Sequence, residues 1–577
     1  MKIRALRAIA TAVAVIAFSS APAFAAEKQG PRSAAVPEAR VLIRDSGQKS
    51  KHVDSRALSG GFVTKPGATL RIETSEAEIT VTGWSGNEVV VEGRVEVGSD
   101  NPDIVRESLA ATEFKVEPEE GGGRVRLRSP FDEDSREGSK GLSEILRDYF
   151  RGRRVNFSFS AKLNIKVPES QSLEVRNSFG DVAVSGVTGR HDIKNESGEV
   201  KVERCGGGLR LETSFAKASV ADFKGDVDVR SESGAVELKN IGGRADVRNS
   251  FNPVTFERIG GDLTVKSESS GVRGTGVGGR CRVETSFAEV DVSDVTGSLE
   301  VKGESMTVTA AVVKGDVTVE SSFNPVKVTN VAGALRVIAE SAAVTVDEIG
   351  RDARIRTSFA KVEASRVHGP VTVECESGPV TLRDIDGDAV VVSSYGDVSA
   401  TMVKGSLDVK SESSKVSATD IGRKASVKSS FAAIEIRRTG GEVKVNGESS
   451  PVLVEDPGGA VDVANSYGYV ILRGTRGSVL VRSESSSVEL SAVKSLPPGS
   501  SVDIRTSFNP ITVTFPVGVE PKITVRAESG RVRSEYPVYL VDTGEGGVRI
   551  ESRDEKVAPN AVVVRLETSS ADIVIKK

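Results

Sequence analysis

Residues 211–238 read LETSFAKASVADFKGDVDVRSESGAVEL. The phrases LETSFAKASV and VRSESGAVEL share one pattern, 18 residues apart, in which Ser214-Phe215 and Glu232-Ser233 occupy the same slot. Ser-Phe or Ser-Tyr pairs start at 178, 214, 250, 286, 322, 358, 394, 430 and 466, and Glu-Ser pairs start at 196, 232, 268, 304, 340, 376, 412, 448 and 484. Each series has a period of 36 and the two interleave, so residues 171–494 contain 18 units without an insertion.

Aligned units form apolar columns separated by polar ones. Two of the apolar columns contain Val182, Val200, Ala218, Val236 and Val254, and Val175, Ile193, Leu211, Val229 and Val247. Alternation of β-branched and polar residues is typical of half-buried strands. Two short strands cannot bury their apolar face alone, whereas stacked copies can. The sequence therefore predicts an all-β fold: a single long parallel β-solenoid, or β-helix, with 18-residue coils, a 36-residue double repeat and a cap at each end.

The alternation of phenylalanine and serine suggests how the core is filled. Counting by two from Leu211 places Phe215 inside, and the same count places Ser233 inside one coil later. One ring for every two coils would fill a narrow core at normal density. We therefore expect the aromatic column to be buried. The neighbouring glutamates should face solvent in every second coil, about 9.6 Å apart at a strand spacing of about 4.8 Å.

The regions outside the repeat predict export and end caps. Residues 1–7 carry three basic side chains, residues 8–18 (AIATAVAVIAF) are apolar and residues 23–25 (AFA) suit a cleavage site, which is typical of a secretory signal peptide. The predicted organisation is a signal peptide (1–25), a flexible lead-in (26–60), an N-terminal β region and cap with a short helix at 141–152 (61–170), the regular solenoid (171–494) and irregular C-terminal coils with a cap (495–577).

Composition excludes several classes of function. Lys and Arg (77) nearly balance Asp and Glu (81), which does not favour binding to nucleic acid. No stretch after the signal peptide is apolar enough for an integral membrane span. Glutamates about 9.6 Å apart cannot share a calcium ion, which needs six to eight oxygen ligands. We find no catalytic, cofactor-binding or metal-ligating residues, and therefore predict no cofactor and no enzymatic activity.

One of the three histidines and all three cysteines fall in inward columns. His191 aligns with Leu209 and Val227, which favours a core position, and the sequence near it has no cluster with metal-ligand spacing. The three cysteines, at 205, 281 and 375, are four to five coils apart, too far for a disulfide. We expect buried free thiols that act as small apolar side chains.

Two stretches carry a family resemblance. IETSEAEITVTGW (72–84) and KLNIKVPESQSLEVRNSFGDVAVSGVTG (162–189), with the repeated strand–Ser–Gly/Ala–strand–Gly phrase, resemble the bacterial putative-adhesin family of β-strand-repeat (β-solenoid) domains of unknown function. The resemblance covers most of residues 61–577. It implies an exported, non-catalytic β-solenoid at the cell envelope; some relatives are linked to envelope-stress responses, and the family supplies no catalytic residues.

Three functional hypotheses follow. The first is a binding or adhesive rod at the cell envelope, periplasmic, displayed on the surface or secreted, with an envelope or extracellular protein or glycan as its partner. The second is a structural spacer or an envelope-stress-linked scaffold without a specific ligand. The third, a carbohydrate-active solenoid enzyme, would need an acidic cluster in an aromatic-lined groove, whereas the single tryptophan, Trp84, lies outside the regular array.

Overall fold

The structure, a computed structural model, describes residues 50–129, 157–491, 493–494, 496–541, 547–552 and 561–577. The predicted signal peptide and the predicted helix at 141–152 lie outside these residues. Within them the chain forms one helix, α1 (Pro102–Ala111), and 48 strands. The strands are β1 (His52–Val63), β2 (Thr69–Thr74), β3 (Glu78–Trp84), β4 (Glu88–Ser99), β5 (Glu113–Glu119), β6 (Gly122–Arg128), β7 (Phe157–Pro168), β8 (Ser172–Phe179), β9 (Val182–Ser185), β10 (His191–Ser197), β11 (Val200–Glu203), β12 (Gly206–Thr213), β13 (Ala218–Ser231), β14 (Val236–Ile241), β15 (Ala245–Asn249), β16 (Val254–Ile259), β17 (Leu263–Ser267), β18 (Val272–Val277), β19 (Cys281–Glu284), β20 (Glu289–Val295), β21 (Leu299–Lys302), β22 (Thr307–Val313), β23 (Val317–Ser321), β24 (Val326–Val331), β25 (Leu335–Ala339), β26 (Val344–Ile349), β27 (Ala353–Thr357), β28 (Val362–Val367), β29 (Val371–Cys375), β30 (Val380–Ile385), β31 (Ala389–Ser393), β32 (Val398–Val403), β33 (Leu407–Ser411), β34 (Val416–Ile421), β35 (Ala425–Ser429), β36 (Ile434–Thr439), β37 (Val443–Gly447), β38 (Val452–Pro457), β39 (Val461–Arg473), β40 (Val479–Ser491), β41 (Ser501–Thr506), β42 (Ile511–Thr514), β43 (Lys522–Ala527), β44 (Val532–Ser534), β45 (Val538–Val541), β46 (Val548–Ser552), β47 (Val563–Thr568) and β48 (Ile573–Lys576).

Within the regular repeat, each strand segment pairs in parallel with the segment 18 residues further along the chain. In one sheet β15 pairs with β17, so that Val247 lies beside Val265. In the other sheet β14 pairs with β16, so that Val236 lies beside Val254. The same register continues through the repeat, which confirms the predicted β-solenoid of about 18 turns.

The predicted apolar columns form the core between the two sheets. Leu211, Val229 and Val247 of the first sheet are fully buried, as are Val200 and Val254 of the second. Their outward neighbours are polar and at least partly exposed, as expected for strands that alternate between core and solvent. Stacking equivalent valines puts similar side chains in every layer, so the core has a uniform width.

The prediction that the phenylalanine column is buried was wrong. The side chain of Phe215 is 67% exposed, and Ser233 in the next coil is also partly exposed. Thr213 and Ala218 are both buried, but they are five positions apart, and strict alternation would bury only residues an even number of positions apart. The alternation therefore changes phase across the corner at residues 214–217. Counting by two holds only inside a strand, because a corner rotates the backbone.

The two kinds of coil differ in which corner residue turns inward. In the Glu-Ser coil, Gly234 follows Ser233 and is buried, and its N–H donates to the Ser231 hydroxyl at 3.0 Å. Met306 occupies the equivalent position two Glu-Ser coils later and is completely buried. In the aromatic coil, Ala216 at that position is only half-buried. The 36-residue double repeat therefore reflects two corner conformations: one inserts a small or flexible residue, and the other points a ring outward.

The opposite corner is tight for two separate reasons. At this corner of the coil, the residue before the buried side chain has a left-handed backbone, as in Asn240 with a φ of 54° before Ile241. Asn and Asp tolerate this region better than most residues. The glycine column beyond has a different cause, since a Cβ at Gly225 would collide with the carbonyl oxygen of Gly207 in the preceding coil. Gly225 is therefore needed for close stacking of the coils.

Both ends of the solenoid depart from the parallel sequential stack. At the N-terminal end β2 lies between β6 and β8, and β4 pairs antiparallel with both β1 and β7. At the C-terminal end β47 lies between β41 and β43, and β46 pairs antiparallel with both β43 and β45. These strands interrupt the 18-residue ladder, so the terminal coils do not offer a regular edge to another solenoid.

Two features of the N-terminal region differ from expectation. Strand β1 begins at His52, so the last part of the predicted flexible lead-in (26–60) is a paired strand. Helix α1, which packs against β1 and β4, was not predicted. Its signals were present: the side chain of Asn101 accepts from the N–H of Asp103 at 2.9 Å, and Pro102 stands in the first turn.

The outward placement of the ring can be tested against a core residue of the same coil. Leu211→Ala should lower the free energy of unfolding by about 2–5 kcal/mol, because it leaves a cavity. Phe215→Ala should change it by about 0.5 kcal/mol or less, because the ring is exposed. Urea unfolding followed by circular dichroism measures both. Equal losses for the two variants would show that the ring is buried.

Candidate functional site: a row of exposed aromatic side chains

The aromatic corner residues form a regular line along the surface. Their exposed fractions run from 49% for Tyr467 to 69% for Phe287. We call this set the aromatic row: Phe179, Phe215, Phe251, Phe287, Phe323, Phe359, Tyr395, Phe431, Tyr467 and Phe508. Large apolar side chains exposed singly are ordinary, but ten that recur at one position of the coil point to an interaction surface.

Serines separate the rings along the solenoid. Phe179 lies beside Ser197 in the parallel register, and Tyr467 lies beside Ser485. An aromatic side chain therefore recurs in every second coil, about 9.6 Å apart at a strand spacing of about 4.8 Å. The intervening serine leaves space between neighbouring rings, so the row is a series of separate rings with gaps.

Hydrogen bonds to the preceding coil hold the aromatic corners in place. The N–H of Phe215 donates to the carbonyl of Glu196 at 3.1 Å. After Phe323, the side chain of Asn324 donates to the carbonyl of Ser305 at 2.5 Å. Asn509, which follows Phe508, makes the same bond to Ser485 at 2.6 Å. The backbone at these corners is therefore bonded to the preceding coil, although the rings themselves are exposed.

A second row of side chains alternates with the first. The glutamate of each Glu-Ser pair is exposed, as predicted, one position before the serine that lies between two rings. We call this set the glutamate row: Glu196, Glu232, Glu268, Glu304, Glu340, Glu376, Glu412, Glu448 and Glu484. Among the residues that the structure describes, none of these nine carboxylates makes an ion pair.

Two basic residues close to the glutamate row pair with other carboxylates. Arg230 stands two positions before Glu232 on the same face, yet it lies 3.6 Å from Asp228 and 4.0 Å from Glu212. Lys266 likewise lies 3.0 Å from Glu284. The glutamate row is therefore left with acceptor oxygens that face solvent.

Elsewhere the outward charges form the expected lattice of ion pairs. Lys239 lies 3.2 Å from Glu257 one coil later, and Arg282 lies 3.4 Å from Glu300. Exposed pairs of this kind contribute about 0–1 kcal/mol each. Among the described residues, the glutamate row takes no part in this lattice.

A shallow groove runs beside the two rows. It has a volume of about 550 Å³ and crosses five consecutive coils. Its lining includes Glu232 and Arg230, and also Ser214 and Ser250, which directly precede two rings of the aromatic row. The groove is polar and carries both signs of charge. A ligand that lies on the rings would therefore meet hydrogen-bonding groups along one side.

The side chains of His191 and His368 belong to neither row. His191 is fully buried beside Leu209, as predicted, and its ring meets Phe223 edge-on with centroids 6.1 Å apart. Burial lowers the pKa of His191, and its Nδ1 atom has no hydrogen-bond partner. On the surface, the hydrogen bonds from His368 to Asp386 (2.8 Å) and Glu348 (3.1 Å) raise the pKa of that histidine.

The described residues also show neither a metal cluster nor a membrane helix. No group of three or more His, Cys, Asp or Glu side chains in the described ranges could hold a metal ion. In the same ranges, no helix has the length and apolar character needed to cross a membrane.

Replacing His191 should reveal the cost of burying it. His191→Leu should raise the free energy of unfolding by about 1–3 kcal/mol, because Leu173 and Leu209 flank the position and the unpaired nitrogen disappears. In the unfolded chain His191 becomes protonated below about pH 6.5, whereas its lowered pKa keeps it neutral in the folded protein at the same pH. The wild type should therefore lose stability as the pH falls. The variant's advantage in Tm should therefore grow from pH 7.5 to about pH 5.5.

Calorimetry of wild type and variant at both pH values measures this effect. His368→Gln is the contrasting control. In the wild type, the raised pKa of His368 means that the protonated ring stabilises the fold at low pH, and this contribution is lost as the pH rises. The control should therefore lower Tm more at the lower pH. A pH-independent gap between His191→Leu and wild type would contradict the assignment.

The three cysteines are free and buried, as predicted. Cys281 lies beside Leu263 and Cys375 beside Thr357, in the predicted columns. Burial raises the pKa of Cys281 to about 12 and raises the pKa of Cys205 and Cys375 as well. Such thiols react slowly because the thiolate is the nucleophile.

Thiol labelling tests this placement directly. Iodoacetamide at pH 8 should add no label to the folded protein within minutes and three labels after unfolding in guanidinium without a reductant. Mass spectrometry of the intact chain counts the labels. Fewer than three labels on the unfolded chain would reveal a disulfide and contradict the 18-residue register.

Comparison with known proteins adds little. No protein-family model matches the chain, and no curated protein matches it. One solved structure that matches is the crystal structure of "a putative cell adhesion protein" from Clostridium sporogenes ATCC 15579; the match covers 90% of this chain and 99% of that chain. The identity is 8% and the TM-score is 0.11, and at that score the similarity carries no argument. Membership of the putative-adhesin family therefore stays a prediction.

The sequence contained a signal for the aromatic row that simple alternation concealed. Phe251, Phe323 and Phe508 are each followed by Asn-Pro, and Phe179 and Tyr395 are each followed by Gly-Asp. These dipeptides are typical of turns and seldom lie inside a strand. They place the aromatic residue at a corner, where its direction does not follow from the strand before it.

Proposed function

We propose that this protein is an exported, non-catalytic binding rod of the cell envelope, and that it holds its partner along the aromatic row. The observation that carries the proposal is the regular exposure of ten aromatic side chains on one line of the solenoid. Aromatic residues dominate the energetics of binding surfaces, since they bring a large contact area with few rotatable bonds. Keeping ten of them in water serves no purpose in folding.

The solenoid suits this role mechanically. Its 18 regular coils extend over about 86 Å at a strand spacing of about 4.8 Å. Repeated contacts on a rigid scaffold act together, so many weak contacts give a strong attachment. Adhesion requires this combination of reach and multivalency.

The proposal of export is supported by the signal-peptide pattern of residues 1–25. The proposal that the protein is not an enzyme is supported by the side chains on its surface. His191 is buried and His368 is held between two carboxylates. The rows offer only aromatic, serine and glutamate side chains that repeat identically, without a distinct position at which a reaction would occur.

A variant with serine at all ten positions of the aromatic row tests the function. Serine occupies the same slot in the intervening coils, so the variant should fold. The tagged wild type should bind saturably to isolated envelope fragments in a sedimentation assay, and the variant should lose at least tenfold in affinity, since one aromatic contact accounts for about 1 kcal/mol or more.

A matched control separates the row from general surface change. It carries ten serines at outward positions of the second sheet, including Glu237→Ser, Arg273→Ser and Lys327→Ser, and it should bind like the wild type. Equal envelope binding by all three proteins, or none by the wild type, would overturn the proposal. Antibody staining of the tag on intact and permeabilised cells then places the rod on the surface or in the periplasm.

A further inference from the structure

We propose that the aromatic row and the glutamate row together bind an extended, uncharged, β-1,4-linked polysaccharide that lies along the solenoid. This inference rests on the proposed function and names the chemical class of the partner. It is carried by the period of the two rows, by the gaps between the rings and by the unpaired carboxylates.

The period of the surface favours a periodic ligand. The rings between Phe179 and Tyr467 recur every 36 residues without an insertion, so each segment of the row resembles the next. A folded protein presents a unique surface and would complement only one segment. A linear polymer with a short repeat can complement all of them in the same way, in many equivalent registers.

The spacing and the gaps favour a chain of flat sugar rings. A pyranose in an extended β-1,4-linked chain advances by about 5 Å, close to the strand spacing of about 4.8 Å, so that sugars and coils stay in step over a few rings. Successive sugars are turned over relative to one another, so the same face recurs at every second sugar. The aromatic row also recurs at every second coil, as with Phe179 beside Ser197. An apolar sugar face can therefore meet each ring, while the sugar between them lies over serine.

The glutamate row supplies the polar half of the contact. Carboxylate oxygens accept hydrogen bonds from hydroxyl groups, and these charge-assisted bonds are stronger than neutral ones. Glu232 and Glu268 line the groove beside the rings and have no cationic partner among the described residues. Their free oxygens face the space in which the edges of a sugar chain would lie.

The charge of the glutamate row argues against other ligands for the two rows. An anionic polymer would lie against nine carboxylates that have no paired cation among the described residues. A second copy of this chain placed face to face would bring its own glutamate row against this one. An apolar protein surface would have to remove water from a glutamate in every second coil, and charged groups are depleted in the centres of protein interfaces. An uncharged, hydroxyl-rich chain incurs none of these costs.

Two variants with equal numbers of substitutions test whether neighbouring rings act together. The alternate variant carries serine at Phe215, Phe287, Phe359 and Phe431 and doubles the spacing between most of the remaining rings. The block variant carries serine at Phe323, Phe359, Tyr395 and Phe431 and leaves four consecutive rings at the N-terminal side. Both variants retain six rings, and circular dichroism verifies that both fold.

Isothermal titration with cellohexaose, an uncharged β-1,4-linked chain of six sugars, is the measurement. Wild type should bind more tightly to the hexaose, which reaches three rings, than to cellotetraose, which reaches two. The alternate variant should lose about tenfold or more in affinity. The block variant should keep its affinity and lose stoichiometry. Added NaCl should have little effect because the ligand is uncharged.

Maltohexaose, with α-1,4 linkages and a coiled shape, is the control ligand and should bind weakly. Equal binding of the two hexaoses, or equal affinity in the alternate and block variants, would overturn the proposal. If wild type binds envelope fragments through the aromatic row but ignores cellohexaose, the binding rod stands and the ligand class is wrong. Light scattering then distinguishes a second copy, which would show as a dimer lost in the ten-serine variant, from a different partner.

Discussion

The main-chain ladder between coils, in a register of 18 residues, is the constraint on which the other features depend. Val236 donates its N–H to Pro253 at 3.0 Å, and Val254 donates to Gly271 at 2.9 Å, so each coil hydrogen-bonds to the next in the same way. A single inserted residue would move every later side chain of a strand from the core to solvent. The ladder also explains the glycine column, because at the tight corner the backbones approach too closely for a Cβ.

The same ladder turns a one-dimensional repeat into parallel rows on the surface. Any residue type that recurs at a fixed position of the coil becomes a line along the solenoid. Most outward columns mix Lys, Arg, Asp and Glu, and these neutralise one another, as Lys239 and Glu257 do. The aromatic and glutamate rows are different because each keeps one chemical character over the full length. A surface of this kind repeats the same contact many times, which suits adhesion better than it suits the single arrangement of groups that catalysis requires.

Much of the architecture could be read from the sequence because it depends on periodicity. The strands, the core columns, the burial of His191 and the separation of the three cysteines all follow from the 18-residue register. The direction of Phe215 did not follow, because the alternation that holds within a strand changes phase at a corner. Helix α1 and the inserted terminal strands were missed for a related reason: β2 pairs with β8 about a hundred residues away, and no repeat reveals such a pairing.

The sequence by itself determined the repeat, the fold class and the two alternating residue types, because each is a matter of period and composition. The outward direction of the glutamates followed from the sequence as well, whereas only the tertiary structure decided that the aromatic residues face water. The hydrophobic effect alone would place a phenylalanine inside. The corner between Thr213 and Ala218 instead orients the backbone so that the ring points outward, while the small residue of the next coil, Gly234, turns inward. Backbone geometry at one corner therefore places on the surface a column of aromatic residues that the sequence pattern assigned to the core.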